Sequence, residues 1–233
     1  GVQYNASAFA VNNNGYIAGM LPYLPISLYQ YSPGADDWEK LSISIDSYNP
    51  FHAAFGLGDK VYVSAGASKY NTAPNVTRYE IQLHSLNPAT GVQEKKQPMP
   101  MYYPYSNSSV SLTAFTIGEH AYLGGGYYTI GGYSDRAYRK DFYKYSPDAD
   151  TWTQIADFPG TSTTDAISFE VDGIAYLVAP SYGYIVLPEV WAYNSKTNTW
   201  SRKRDFPGQI KYGMAAFSVG SAGYLVGGAT GTS

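Results

Sequence analysis

Cysteine is absent from this 233-residue chain. Disulfides, thiolate metal sites and cysteine nucleophiles are excluded with it. Charge is also scarce, at 14% of residues, and Asp plus Glu outnumber Lys plus Arg by 18 to 15. A nucleic-acid surface needs clustered cations to displace counterions from phosphate, and none is encoded here. No basic run suits an anionic membrane surface. The apolar runs are far too short to span a bilayer, so no membrane insertion is expected. Helical periodicity is missing too. No long window keeps apolar residues at i, i+3, i+4 and i+7 without a Gly or Pro interrupting it.

What the chain does have is 25 Tyr, 24 Gly and 14 Pro. Aromatics favour strands, and Gly and Pro punctuate turns. A repeat organises them. Phe is followed seven residues later by Tyr five times: Phe9 and Tyr16, Phe55 and Tyr62, Phe115 and Tyr122, Phe169 and Tyr176, Phe217 and Tyr224. Hairpin residues separate each pair, such as Asn14-Gly15, Gly58-Asp59 and Asp172-Gly173. These supply the positive φ that tight turns need. A small residue precedes every Phe (Ala8, Ala54, Ala114, Ser168, Ala216), which suits strands crowded together.

A second signature follows. Tyr precedes Trp by seven residues at Tyr31 and Trp38, Tyr145 and Trp152, and Tyr193 and Trp200. Unit two carries a worn copy from Leu86 to Val92, one residue shorter. Each unit therefore reads as four short strands. One such sheet cannot bury both faces, so units must pack side by side around an axis.

These residues resemble the kelch repeat. The second strand ends in Gly124-Gly125-Gly126 and in Gly227-Gly228, as that family's does. The resemblance covers nearly the whole chain and implies an all-β propeller of four-stranded antiparallel blades. Five repeats are visible, at about 6–46, 47–100, 101–159, 160–208 and 209–233, within a single domain. The last has only its first two strands. Two arrangements fit: a five-unit ring closed by its N-terminus, or most of a six-bladed ring. The Arg and His that the family often places before the Phe are missing, except for His52.

In propellers, the loops joining strand two to three and strand four to the next blade open on one face. Here they are 20–27, 66–78, 126–140 and 180–188, with crossovers besides. They hold Tyr70, Tyr103, Tyr127, Tyr128, Tyr133, Arg136, Tyr182, Tyr184, Lys211 and Tyr212. Tyr offers an apolar plate and one hydroxyl at low entropic cost, which suits sugars and proteins alike. These ten are the expected ligand-binding residues. The long segment 126–140 is the foremost of them.

No catalytic, metal or cofactor set is expected. His52, His84 and His120 fall on different layers of the repeat. Asp148 and Asp150 sit in a turn and lack a calcium loop's closing Glu. The candidate carboxylate pair Asp165 and Glu189 cannot be placed on one cavity from sequence. The leading expectation is a non-catalytic, extracytoplasmic binding module for a glycan or a protein. The alternatives are a sugar-modifying enzyme resembling the kelch-type sialic acid epimerases, and a structural repeat of a larger surface protein.

Overall fold

The computed structural model describes residues 5–20, 26–43, 45, 51–73, 76–103, 112–129, 136–164, 166–179, 188–208 and 212–229. At 5, 20, 51–52, 66–73, 76–79, 102–103, 128–129, 136, 212–213 and 228–229 it describes the backbone alone.

The described residues form strands and no helix. The first sheet runs β1 (Asn5–Val11), β2 (Asn14–Met20), β3 (Ser27–Ser32) and β4 (Asp37–Leu41). The second runs β5 (Phe51–Leu57), β6 (Lys60–Ala73), β7 (Val76–Leu86) and β8 (Gln93–Tyr103). The third begins with β9 (Thr113–Ile117) and β10 (His120–Gly124). A two-stranded insertion follows, β11 (Tyr127–Thr129) and β12 (Arg136–Tyr138). The sheet then resumes with β13 (Phe142–Ser146) and β14 (Thr151–Gln154). The fourth has β15 (Ile167–Val171), β16 (Ile174–Ala179), β17 (Glu189–Asn194) and β18 (Thr199–Arg202). The hairpin β19 (Tyr212–Val219) and β20 (Ala222–Ala229) ends the series. Each four-stranded sheet is a meander in sequence order, with neighbouring strands antiparallel.

The Phe–Tyr spacing is a register. Phe9 faces Tyr16, Phe55 faces Tyr62, Phe115 faces Tyr122, Phe169 faces Tyr176 and Phe217 faces Tyr224. All five pairs stack, with centroids 5.1 to 5.7 Å apart. Such cross-strand aromatic pairs stabilise a hairpin by about 0.5–1 kcal/mol beyond area burial. Close packing between strands is visible beside one of these pairs. A Cβ added at Gly56 on β5 would lie 2.5 Å from the Ala10 carbonyl oxygen on β1. The inner strands approach too closely there for any side chain.

The chain divides into two compact units. One is 1–110 with 146–152, and the other is 111–145 with 153–233. The first unit's core gathers Val11, Tyr16, Ala18, Leu28, Val61, Val63 and Leu86. The second unit's core is aromatic: Phe115, Tyr122, Phe142, Phe158 and Tyr193, with Trp191 and Trp200 packed against them. Trp200 meets Phe158 edge-on at 5.4 Å and Tyr193 at 4.8 Å. Burial drives the Tyr193 hydroxyl up to about 12, and Tyr62, buried beside Asp59 and Glu94, also to about 12.

Three expectations need correction. The segment 66–78 is a ribbon: β6 and β7 stay paired through Lys69–Tyr79, Tyr70–Arg78 and Ala73–Val76, absorbing the irregularity in bulges. Its Tyr, Thr and Val residues are strand formers, so the ladder simply continues. Tyr103 lies in β8, opposite Tyr79, and Tyr212 opens β19, opposite Ala229, so neither is a loop residue. The worn repeat of the second sheet keeps its full length as well. Leu86 faces Gln93, as Tyr31 faces Trp38 and Tyr193 faces Trp200. Gln93 holds the Trp position.

Candidate ligand-binding surface and the sheet clasps

The insertion in the third sheet rises from a fixed base. β10 ends at Gly124, and the two glycines that follow, Gly125 and Gly126, have positive φ of 67° and 79°. A Cβ on Gly125 would sit 1.8 Å from the Thr163 hydroxyl oxygen. That hydroxyl, fully buried, accepts the Gly126 N–H at 2.9 Å, and the Thr163 carbonyl accepts the Thr113 hydroxyl at 3.0 Å. Glycine is therefore required twice over, for the conformation and for the close approach. The Arg139 N–H then closes the base on the Gly126 carbonyl at 2.9 Å. Beside it, the Arg139 guanidinium grips Asp141 through two bonds, of 2.8 and 2.6 Å.

On this base Tyr127 faces Tyr138, and Thr129 faces Arg136. The two Tyr rings meet edge-to-face at 6.5 Å, and Tyr138 is 45% exposed. The result is a short aromatic hairpin on a rigid footing, a shape able to stack on an apolar face while its hydroxyls hydrogen-bond. Tyr138 was not among the expected ligand residues. The period-2 alternation Tyr128, Thr129 and Arg136, Ala137, Tyr138 was the signal for it.

Of the ten expected ligand residues, Tyr127 is described with its side chain. For Tyr70, Tyr103, Tyr128, Arg136 and Tyr212 the backbone is placed. Tyr133, Tyr182, Tyr184 and Lys211 lie outside the described residues. Tyr70 and Tyr103 belong to the first unit; Tyr127, Tyr128, Arg136 and Tyr212 belong to the second. At the root of the β6–β7 ribbon, Ser64 Oγ and both amide atoms of Gln82 are buried and make no hydrogen bond among the described residues.

Glu189 is committed to structure. It accepts the Thr161 N–H at 3.2 Å, the Thr161 hydroxyl at 3.1 Å and the Trp191 indole N–H at 2.9 Å, and pairs with Arg202 at 3.2 Å. Burial pushes its carboxyl up, but these bonds and the cation outweigh burial and hold it below the usual range. A carboxylate so engaged is poorly suited to proton transfer at neutral pH. Asp165 lies outside the described residues. The three His stand on β5, β7 and β10, and the described residues hold no cluster of three or more metal-ligating side chains.

The Trp signature turns out to be a joint. The Trp152 indole N–H donates to the Gln97 carbonyl at 2.9 Å, and Asp150 accepts the Gln97 N–H at 3.1 Å. The Trp200 indole donates to the Ala156 carbonyl at 2.9 Å, and Asn198 accepts the Ala156 N–H at 2.9 Å. Each later sheet thus holds both polar groups of one backbone residue of the sheet before it. The second sheet makes half of this clasp: the Gln93 amide donates to the Ser42 carbonyl at 2.9 Å. The acceptor position there is Gly91, which has no side chain. Asp36, Gly91, Asp150 and Asn198 all have positive φ, between 49° and 70°, and at Asp150 and Asn198 the short side chain reaches across to the preceding sheet. The Asp/Asn two residues before Trp38, Trp152 and Trp200 is the sequence signal for it, one that turn chemistry alone also explains.

Repeated four-stranded meanders joined by backbone clasps define a chain of propeller blades. Residues 121–159 match the Kelch motif. The solved structure of YjhT shares the fold, with a TM-score of 0.65 and 18% identity over 93% of this chain and 70% of that chain. The chain thus carries a Kelch motif on an all-β fold of four-stranded antiparallel blades, the fold it shares with the YjhT propeller. No curated protein matches it in sequence.

Proposed function

We propose that this chain is a non-catalytic, extracytoplasmic binding module that recognises a glycan through the tyrosines of its non-repeating segments. The observation that carries this reading is the β11–β12 hairpin. It interrupts a repeat that elsewhere serves packing, it stands on a base fixed by Thr163, and it presents Tyr138 to solvent beside Tyr127. Function on propellers and similar scaffolds resides in such segments. The commitment of Glu189 to four contacts from three structural partners favours binding over glycoside chemistry. The low charge and the polar, Tyr-rich composition suit a neutral sugar surface outside the cytoplasm.

A glycan array with the full chain tests this. The expected result is binding to one related set of glycans, weakened at least tenfold by Tyr127→Ala or Tyr138→Ala with the fold intact by circular dichroism. No glycan bound, together with a protein ligand captured through the same tyrosines, replaces the glycan by a protein partner. Glycan binding indifferent to both substitutions moves the site elsewhere and defeats the reading.

A further inference from the structure

Gln82 stands at a fault in the second sheet. On one side, the β6–β7 register steps between Leu83, opposite Ser64, and Ile81, opposite Ala67. On the other side, the β7–β8 register steps between Leu83, opposite Lys96, and Ile81, opposite Met99. No residue stands opposite Gln82 in either ladder. The cause on the β8 side is legible. Gln97 and Pro98 fall in the gap, and Pro98 has no N–H to give. Both backbone groups of Gln97 are engaged elsewhere, the N–H by Asp150 and the carbonyl by Trp152. The clasp that joins the sheets thus draws β8 away from Gln82.

The side chain of Gln82 is equally unsupported. It is 6% exposed, and neither its amide oxygen nor its nitrogen makes a hydrogen bond among the described residues. Ser64, beside the step in β6, is 1% exposed, and its hydroxyl is in the same condition. Such groups destabilise the packed state, whereas an apolar side chain of equal size would not. They are also sealed, so water reaches them only where the strands part. Beyond the fault the β6–β7 ladder is regular again, from Ala67 opposite Ile81 to Asn71 opposite Thr77. A regular ribbon therefore stands on a root where pairing is weakest and where opening gains hydration.

We propose that the β6–β7 ribbon beyond Gln82 is a hinged arm. It swings between the paired position described above and an open one, in which the strands part at Gln82 and water reaches its amide. The arm carries Tyr70, opposite Arg78, so its two positions place an expected ligand residue differently. The hinge lies within the first unit and uses nothing of the Tyr127–Tyr138 hairpin, so it stands or falls separately from the glycan reading.

Hydrogen exchange of the full chain, read by mass spectrometry, tests the hinge. The amides of 67–73 and 76–80 report the arm, and those of β9 and β10 serve as the reference. Gln82→Met keeps the length of the side chain and removes the unpartnered amide. It is expected to slow the arm's amides at least tenfold. Gln82→Glu puts a carboxylate in the same place, where burial without a partner is costlier still. At neutral pH it is expected to speed the arm's amides at least tenfold while β9 and β10 keep the parent's protection. Arm amides that keep the parent's rates in either variant overturn the proposal. So does a Gln82→Glu chain in which the arm and the reference strands lose protection together, because the loss is then global unfolding. Arm amides with no protection in the parent also overturn it, since no paired position then exists to open.

Discussion

Asn198 offers the sharpest test of the clasp, because three separate effects meet on one small side chain. Its backbone has a φ of 52°, its side-chain oxygen accepts the Ala156 N–H at 2.9 Å, and it accepts the Tyr193 hydroxyl at 3.1 Å. Replacement by Ala forces a Cβ-bearing residue without a local hydrogen bond into the left-handed region, at about 1 kcal/mol. Loss of the exposed Ala156 bond adds about 0.5–1 kcal/mol. Tyr193 is 1% exposed, so its orphaned hydroxyl adds about 1–1.5 kcal/mol. Asn198→Ala is therefore expected to cost about 3 kcal/mol. Asn198→Gly avoids the strain but loses both hydrogen bonds, and costs about 2 kcal/mol by the same terms. Asn198→Asp keeps the acceptor and tolerates the conformation, so it stays within about 0.5 kcal/mol of the parent. Urea denaturation followed by far-UV circular dichroism and tryptophan fluorescence reads these as midpoint shifts at constant slope. The order Asp, Gly, Ala is the signature. A glycine variant as stable as the parent would show that the two hydrogen bonds contribute nothing and would refute the clasp as a stabilising joint.

Other outcomes follow from the same geometry. Gly125→Ala places a methyl 1.8 Å from the Thr163 hydroxyl at a φ of +67°, and is expected to destabilise by at least about 3 kcal/mol. Hydrogen exchange should show β11 (Tyr127–Thr129) and β12 (Arg136–Tyr138) losing protection first. Glu189 has its carboxyl held below the ordinary value, so its contribution is present above that value and is lost as pH falls through the lowered one. Thermal melts from neutral to acid pH should show a flatter acid limb for Glu189→Gln than for the parent. Tyr62 and Tyr193 are pushed up to about 12, so their stabilisation is complete below pH 10 and is lost as pH rises towards 12. Ultraviolet titration of the phenolates should therefore show two late-ionising tyrosines that disappear in Tyr62→Phe and Tyr193→Phe.

The scaffold was legible because its signal is local and repeated. A hairpin with two central turn residues sets its own register, so Phe55 and Tyr62 must face each other once the turn at Gly58 forms. Less of the site could be read, and for a different reason. Whether 66–78 loops out or stays paired depends on bulges between Ser64 and Ala67 and between Asn71 and Ala73, which no local pattern announces. Tyr127 stands out in sequence by the extra length of 126–140, but its pairing with Tyr138 appears only once β11 and β12 form a ladder. Asp150 and Asn198 looked like ordinary turn formers. Their second role acts on Gln97 and Ala156, 53 and 42 residues away, and a separation of that size leaves no trace in a local pattern. Gln93 was hidden by its identity: an amide replaces an indole at the same ladder position, and only the register reveals the equivalence.

The clasp has a consequence for how such chains change. Ser42, Gln97 and Ala156 have nothing in common as side chains, because the grip falls on main-chain atoms that every residue but proline supplies. The joint is therefore indifferent to what it joins. A gene segment duplicated in phase brings a donor, an acceptor and a residue to be held, whichever neighbour it lands beside. Copies can be gained, lost or exchanged without re-matching an interface. The held residue is free to drift, whereas a change at the holding positions is felt: the second sheet, with Gln93 and Gly91 there, keeps the donor and loses the acceptor.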